Sequence, residues 1–529
     1  MEYRSDDFLR QAGQLIFFGF DGYELNDHAR RAIRKYHLGN VILFTRNYRD
    51  PAQFYSLIQS LQQEAMEANG VPLLIAIDQE GGSVVRIIRD ATWFPGPMAT
   101  RVAGNPDLAR QLGQGVGAEM AAFGLNLNLA PVMNLASNPD SPHAGARCWG
   151  ATPEAGGAWA MAYIEGIQES VYATAKHFPS IGNSKVDLHL SLGQNNHSRE
   201  HIESFEMGSV RNAIKAGVSV VMTSHEMYPA IDDGPSTLSS KIVTGYLKEK
   251  YGFNGAVISD CMEMKALAQR VPTPEACVKA VQAGVDMLLI CHTEQTQIAS
   301  VRALAQAVET GRLSRTRFDQ ACERIRGMKK ALRFPDRCPD PETDSVFVDN
   351  RKLVQNVCEA AITEQGNRDV FTCGSDERFL LLAPPPAALT MVDEQIGAAH
   401  LALAVREAFP SARCVEYPLP LTQESLKQLQ KEMDSEEYSK ILIGTYNAHG
   451  DVGQLDLLTA AYESGKPVGA IALRTPYDAR WFERADASLL TYEYTPPMVS
   501  AVIRRMRGQI HCSGKLPDDV LSVLKGETI

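Results

Sequence analysis

The stretch GFNGAVISDCMEM (252–264) carries a short apolar run into an aspartate and then directly into a helical pattern. A run of this length, set off by Gly and Asn, reads as a strand buried on both faces, as in a parallel sheet whose crossover helices cover it. Outward from it the same unit recurs. Upstream lie LIFFGF (15–20), NVILF (40–44), PLLIAID (72–78), LNLNLAPVMN (125–134), VYATAKHF (171–178) and VSVVMTSH (218–225), and downstream VDMLLI (285–290), with longer amphipathic stretches between them. Eight consecutive strand–helix units predict a (β/α)8 barrel. A doubly wound open sheet would show the same alternation. No G-x-G-x-x-G follows the first run, however, and eight units in succession favour closure.

Several of these runs end in polar or ionisable residues: Asp78, Asn134, Lys176 with His177, His225 with Glu226, Asp260, and His292 just after the eighth. Any one of them is explained by strands simply ending where the chain turns polar. Six together fit a barrel whose C-terminal rim carries chemistry.

Beyond a last barrel helix near 314–332, RFPDRCPDPETDSVFVDN (333–350) sets three prolines among charges and reads as a linker. Alternation then resumes with RFLLLAP (378–384), ARCVEYPL (412–419), KILIGTY (440–446), VGAIAL (468–473) and ASLLTYE (487–493), with helical stretches such as GQLDLLTAAYESG (453–465) between. The expected organisation is a catalytic barrel over 1–333, a linker and connecting helix over 334–367, and a smaller α/β sandwich over 368–529.

The bulk properties agree with an enzyme of this kind. The chain has 529 residues, too many for one core, with 44% hydrophobic and 22% charged residues. A balance of 52 basic against 63 acidic residues argues against a nucleic-acid partner. The first apolar run is too short for an export signal or a membrane span. The ten cysteines show no C-x-x-C spacing and several sit in apolar runs, as reduced thiols do. These features together predict a cytoplasmic protein with no membrane partner.

Three segments carry candidate chemistry. ATAKHFPSIGNSKVDLHLSL (173–192) begins as a strand and breaks into a loop presenting Lys176, His177, Asp187 and His189; its D-x-H places a carboxylate close enough to orient an imidazole. Asp260 would face the barrel mouth, although an aspartate there would serve equally as the N-cap of the next helix. IAIDQEGGSVVRI (75–87) sets Asp78 beside a Gly-Gly pair that permits a tight turn.

In these residues the chain resembles glycoside hydrolase family 3, in its β-N-acetylglucosaminidase branch. The matching stretches are GNVILFTRN (39–47), AIDQEGGSVVR (76–86), LNLNLAPVMNLASNP (125–139), KHFP with DLH downstream (176–189), MTSHEMYPAID (222–232), PSTLSSKIVTGYLKEKYGFNGAVISDCMEM (235–264), and GTYNA with KPVGAIALRTPYD (444–478). The resemblance implies a retaining exo-enzyme that removes non-reducing terminal N-acetylglucosamine from chitin oligomers, muropeptides or similar glycosides. It makes Asp260 the nucleophile and the Asp187/His189 pair the acid/base. Asp78, Arg86, Arg147, Lys176 and His177 become sugar-binding residues, and no metal or organic cofactor is implied. Other branches of the family draw a glutamate acid/base from their second domain, so the D-x-H pair is what selects this one.

A histidine acid suits neutral pH, since its ordinary pKa near ~6.5 needs no burial to make it a donor, and it avoids like-charge repulsion with the nucleophile. His225, Glu226 and His292 match no metal-binding spacing. The family loop usually reads KHFPGHGDT, whereas Ser180, Ile181 and Asn183 stand here, and Asn134 replaces a common aspartate. Serine resists the positive φ that glycine allows, so a stiffer catalytic loop and slow turnover are expected. Two alternatives stay open at this point: phosphorolysis, because an uncharged acid/base tolerates phosphate as the attacking group, and a catalytically silent amino-sugar-binding protein.

Overall fold

The computed structural model describes residues 5–141, 144–182, 193–388, 390, 392–393 and 400–527. All eight apolar runs of the first half become strands of one closed parallel barrel: β1 (Ile16–Phe18), β2 (Asn40–Leu43), β3 (Leu74–Ile77), β4 (Leu127–Asn128), β5 (Tyr172–Phe178), β6 (Val220–Thr223), β7 (Ala256–Cys261) and β8 (Met287–Ile290). Each pairs with its sequence neighbours, and β1 closes the ring on β8 through the register Phe17 to Leu289.

Helices of the outer ring start where short polar side chains and proline coincide. Asp50, Asn105 and Thr152 each accept a backbone N–H of the first turn, and each is followed by proline at the first helical position in Pro51–Asn69, Pro106–Phe123 and Pro153–Ile167. Proline lacks the N–H that would be unsatisfied there in any case, and its fixed φ suits the helix.

Two barrel strands differ from their sequence signal. The long run 125–134 yields only two residues of regular strand, because Pro131 cannot donate to the ladder. Its carbonyls still receive β5, with Thr174 N–H donating to Ala130 and Lys176 N–H to Pro131. Register then shifts on β5 between Lys176 and Phe178, and on the β7–β8 pair at Ser259–Asp260, as β-bulges do.

A second sheet of six strands follows. In addition to the five expected runs, now β10 (Leu380–Ala383), β11 (Arg413–Glu416), β12 (Ile441–Thr445), β13 (Val468–Ala472) and β14 (Ala487–Leu490), it contains β9 (Thr363–Gly366). The order is β9-β14-β13-β12-β10-β11, parallel except for β9, which runs antiparallel to β14 at the edge. Its sequence TEQG is polar because an edge strand is half solvated, so it leaves no apolar signal. The sheet therefore begins inside the segment 334–367 expected as linker and connecting helix; the helix there is Ser345–Ala361.

The two parts meet over a polar, largely buried seam. Tyr477 donates to the Ala136 carbonyl at 3.0 Å, Arg101 forks onto Asp519 at 2.7 and 3.0 Å, and Glu493 accepts the Gly96 N–H at 2.7 Å. Burial pushes the Glu493 carboxyl up to about 7, against the pull of Gly96, Thr495 and Cys358. Between its ordinary 4.5 and about 7 the folded chain thus keeps a proton that the unfolded chain has lost, and this group's contribution to stability declines as pH rises through that window. Glu493→Gln is expected to become progressively more stable than the parent over the same interval, by up to about 1.4 kcal/mol per pH unit. Urea melts of both proteins at pH 5 and pH 7.5 check this; an unchanged difference would show that the group does not titrate there. No helix among the described residues is long and apolar enough to cross a membrane.

Candidate active site

At the C-terminal rim the barrel opens into a cavity of about 460 Å3, bordered by Asp78, Arg86, Arg147, Lys176, His177 and Asp260 among others. The strand ends and the loops that follow them bring these residues together from four separate stretches of chain. Asp187 and His189, together with Asn183, lie outside the described residues.

One side of the cavity is a dense ion cluster. Lys176 Nζ donates to Asp78 Oδ1 at 2.7 Å and lies 2.6 Å from Glu80 Oε1. Arg147 grips both oxygens of Glu80, Nε to Oε2 and Nη2 to Oε1, each at 2.9 Å. Arg86 Nη2 stands 3.7 Å from Asp78 Oδ2. Burial alone would drive Glu80 up and Lys176 down. The facing charges overcome it, holding the Glu80 carboxyl at about 2 and raising Lys176 above its ordinary value. Glu80 has no counterpart among the sequence-derived candidates, although its position two residues beyond Asp78 in DQEGG, on the same rim, was an available signal.

The turn that carries Asp78 and Glu80 needs its glycines. Gly81 and Gly82 adopt φ of +93° and +60°, and a Cβ on Gly81 would come within 2.4 Å of the Pro95 carbonyl oxygen. Side chains are excluded there by both backbone strain and space.

The other side of the cavity holds Asp260, whose side chain is 22% exposed. The Cys261 N–H donates to its Oδ1 at 2.7 Å, and His177 Nε2 lies 3.7 Å from its Oδ2. Regular alternation would point adjacent strand residues to opposite faces, yet Lys176 and His177 both line the cavity; the β5 bulge accounts for this. Asn134 steadies the turn beyond it, its Oδ1 accepting the N–H groups of His177 and Ile181 at 3.3 Å and its Nδ2 lying 3.4 Å from His177 Nδ1.

The departures in the loop take a form different from the one expected. Ser180 is not among the described residues with positive φ, so serine is unstrained at this position and the argument for a stiffened backbone does not apply. Its carbonyl accepts the Tyr228 hydroxyl at 2.6 Å, and its Oγ accepts the Gly182 N–H. Ile181 packs with Met264 and Cys261 on the cavity wall.

Further residues complete the rim. His225 is fully buried with both ring nitrogens engaged, one with Thr237 Oγ1 at 2.9 Å and the other with the Cys261 carbonyl at 3.0 Å. The half-buried Cys261 and the buried Cys291 form a thiol pair. The hydrogen bond from Cys291, followed by that of His292, brings Cys261 down to about 6 against burial, and the same contact carries Cys291 up. From the second part of the chain, the Val392 carbonyl accepts Arg86 Nη1 at 2.9 Å, and Asp393 next to it pairs with Arg474 at 2.8 Å. No site residue is expected from the sequence in that part.

The sequence profile of the glycosyl hydrolase family 3 N terminal domain matches residues 9–328. The chain belongs to that family. A β-hexosaminidase A of Pseudoalteromonas piscicida is 27% identical, covering 92% of this chain and 90% of its own length. A β-hexosaminidase of Tolumonas auensis is 36% identical over 55% of this chain and 86% of its own. Among solved structures, a glycoside hydrolase family 3 β-N-acetylglucosaminidase from Paenibacillus sp. superposes with a TM-score of 0.89 at 34% identity, covering 96% of this chain and 98% of that one. This family 3 likeness therefore extends across both sheets rather than the barrel alone.

Proposed function

We propose that this family 3 protein is a retaining exo-β-N-acetylglucosaminidase. The observation that carries the reading is the cavity itself: the partly exposed carboxylate of Asp260 faces a buried cluster of charged hydrogen-bonding groups in a chain similar along nearly its whole length to a solved β-N-acetylglucosaminidase. A volume of about 460 Å3 lies within the range of small-molecule sites, about 300–1,000 Å3.

In this mechanism the terminal sugar's hydroxyls bond to Asp78, Arg86, Lys176 and His177, which fixes the anomeric carbon above Asp260. An Asp260 oxygen attacks that carbon as the glycosidic bond breaks, and the departing oxygen takes a proton from His189, oriented by Asp187. The resulting glycosyl ester is cleaved by water whose proton returns to His189, so configuration is retained.

Purified protein incubated with N,N′-diacetylchitobiose or a muropeptide should release N-acetylglucosamine, seen first as the β anomer by NMR. An initial α anomer would overturn retention. A sugar 1-phosphate formed in phosphate buffer would make the chain a phosphorylase, and binding without product would make it a sugar-binding protein.

His189→Ala is expected to slow the disaccharide by about 10²–10⁴-fold while sparing nitrophenyl glycosides much of that loss, because a phenolate needs little protonation on departure. Equal losses on both substrates would give His189 a binding role instead. All ten cysteines are free thiols, which favours a reducing compartment such as the cytoplasm.

A further inference from the structure

A second kind of chemistry sits on the wall of the same cavity. Cys261 closes β7, while Cys291 and His292 follow β8, and because these strands are adjacent the barrel brings the three together. Their two thiol sulfurs and one imidazole nitrogen all lie within 4.8 Å of one another. All three residues border the cavity.

The backbone that presents these donors is held from several directions. The Glu263 carboxylate accepts the N–H groups of His292 and Thr293 at 2.7 and 3.1 Å, and the His292 ring stacks on Phe44 with centroids 5.7 Å apart. Arg46 Nη2 donates to the Cys291 carbonyl at 2.8 Å, and His225 donates to that of Cys261. Ligand groups oriented by such outer partners lose little freedom when they coordinate an ion.

Two sulfurs and one imidazole form the donor set that selects zinc-class ions, and three protein ligands leave a fourth position open. The arrangement has no signature in the sequence, because its donors come from two distant segments and meet only through barrel closure.

We propose that the reduced chain binds one zinc-class divalent ion through Cys261, Cys291 and His292, and that the ion, sitting on the cavity wall beside Asp260, inhibits turnover. On binding, both thiols release their protons to solvent and the two thiolate charges neutralise the ion; no electron is transferred. The fourth position faces the cavity and takes water.

Titrating reduced, metal-free protein with Co2+ under anaerobic conditions should produce a sulfur-to-cobalt charge-transfer band that saturates at one ion per chain and is bleached by Zn2+. Hydrolysis should fall in step with zinc occupancy and return on adding a chelator. Cys291→Ser is expected to weaken zinc binding by about 100-fold or more, and His292→Ala by roughly 10-fold. His197→Ala should leave the band intact, since the other three-donor group among the described residues, His197, His201 and Glu206, contains no sulfur.

A protein with fully titratable thiols and no band would overturn the site, as would a band that survives Cys261→Ser with Cys291→Ser. Zinc binding without loss of hydrolysis would overturn the inhibition. Only this activity readout rests on the glycosidase reading: hydrolysis absent from the metal-free protein would fault that reading, whereas the band reports metal binding whatever the chain hydrolyses.

Discussion

Asp260→Asn should lose at least about 10⁴-fold in kcat, the scale seen when a covalent nucleophile is removed, while the fold stays intact. An amide fills the same space but supplies no anionic oxygen to the anomeric carbon. The cost to stability should be small, because the side chain is partly exposed and a carbonyl oxygen can still accept the Cys261 N–H. Thermal melts would verify folding, and a fluorinated substrate analogue that accumulates a glycosyl-enzyme should label Asp260 in the parent protein. A label on another residue, or residual turnover within tenfold of the parent, would remove Asp260 from this role.

Glu80→Gln is expected to act on stability and activity together. Asp78 and Glu80 face Arg86, Arg147 and Lys176, so the cluster carries one excess positive charge before substitution and two after it. Leaving buried cations without their carboxylate typically costs about 3–5 kcal/mol. Lys176 and Arg147, no longer held in place, should also misposition the sugar and reduce kcat/KM by about 10²-fold.

The pH dependence identifies the cause. With its pKa held at about 2 rather than 4.5, Glu80 stabilises the fold fully above pH 4.5, and that contribution fades as pH falls toward 2. The stability gap between parent and Glu80→Gln should therefore close over the same interval. A gap that stays constant down to pH 2 would mean that shape, not charge, is responsible.

Much of this architecture was legible from the chain alone. The eight barrel strands announce themselves because both faces of a parallel sheet are covered, which forces continuous apolar runs such as VVMT and AVIS. β9 escaped notice for the opposite reason: TEQG lies at a solvated edge, where no apolar pattern is required. Asp78, Lys176 and Asp260 were recognisable as residues at strand ends, the place where a barrel exposes function.

What the sequence determined by itself is local and periodic: where strands and capped helices form, that the barrel closes, and which ionisable side chains reach its rim. Pairing across the chain was decided only by the tertiary structure. Glu80 joins Arg147 across sixty-six intervening residues. Val392, from the second part of the chain, meets Arg86. Two bulges turn His177 and Asp260 toward one cavity, and two distant thiols meet beside a histidine. These depend on register and burial, because a charge becomes stable away from water only once a partner from elsewhere in the chain has been folded against it, and no local pattern records which partner that will be.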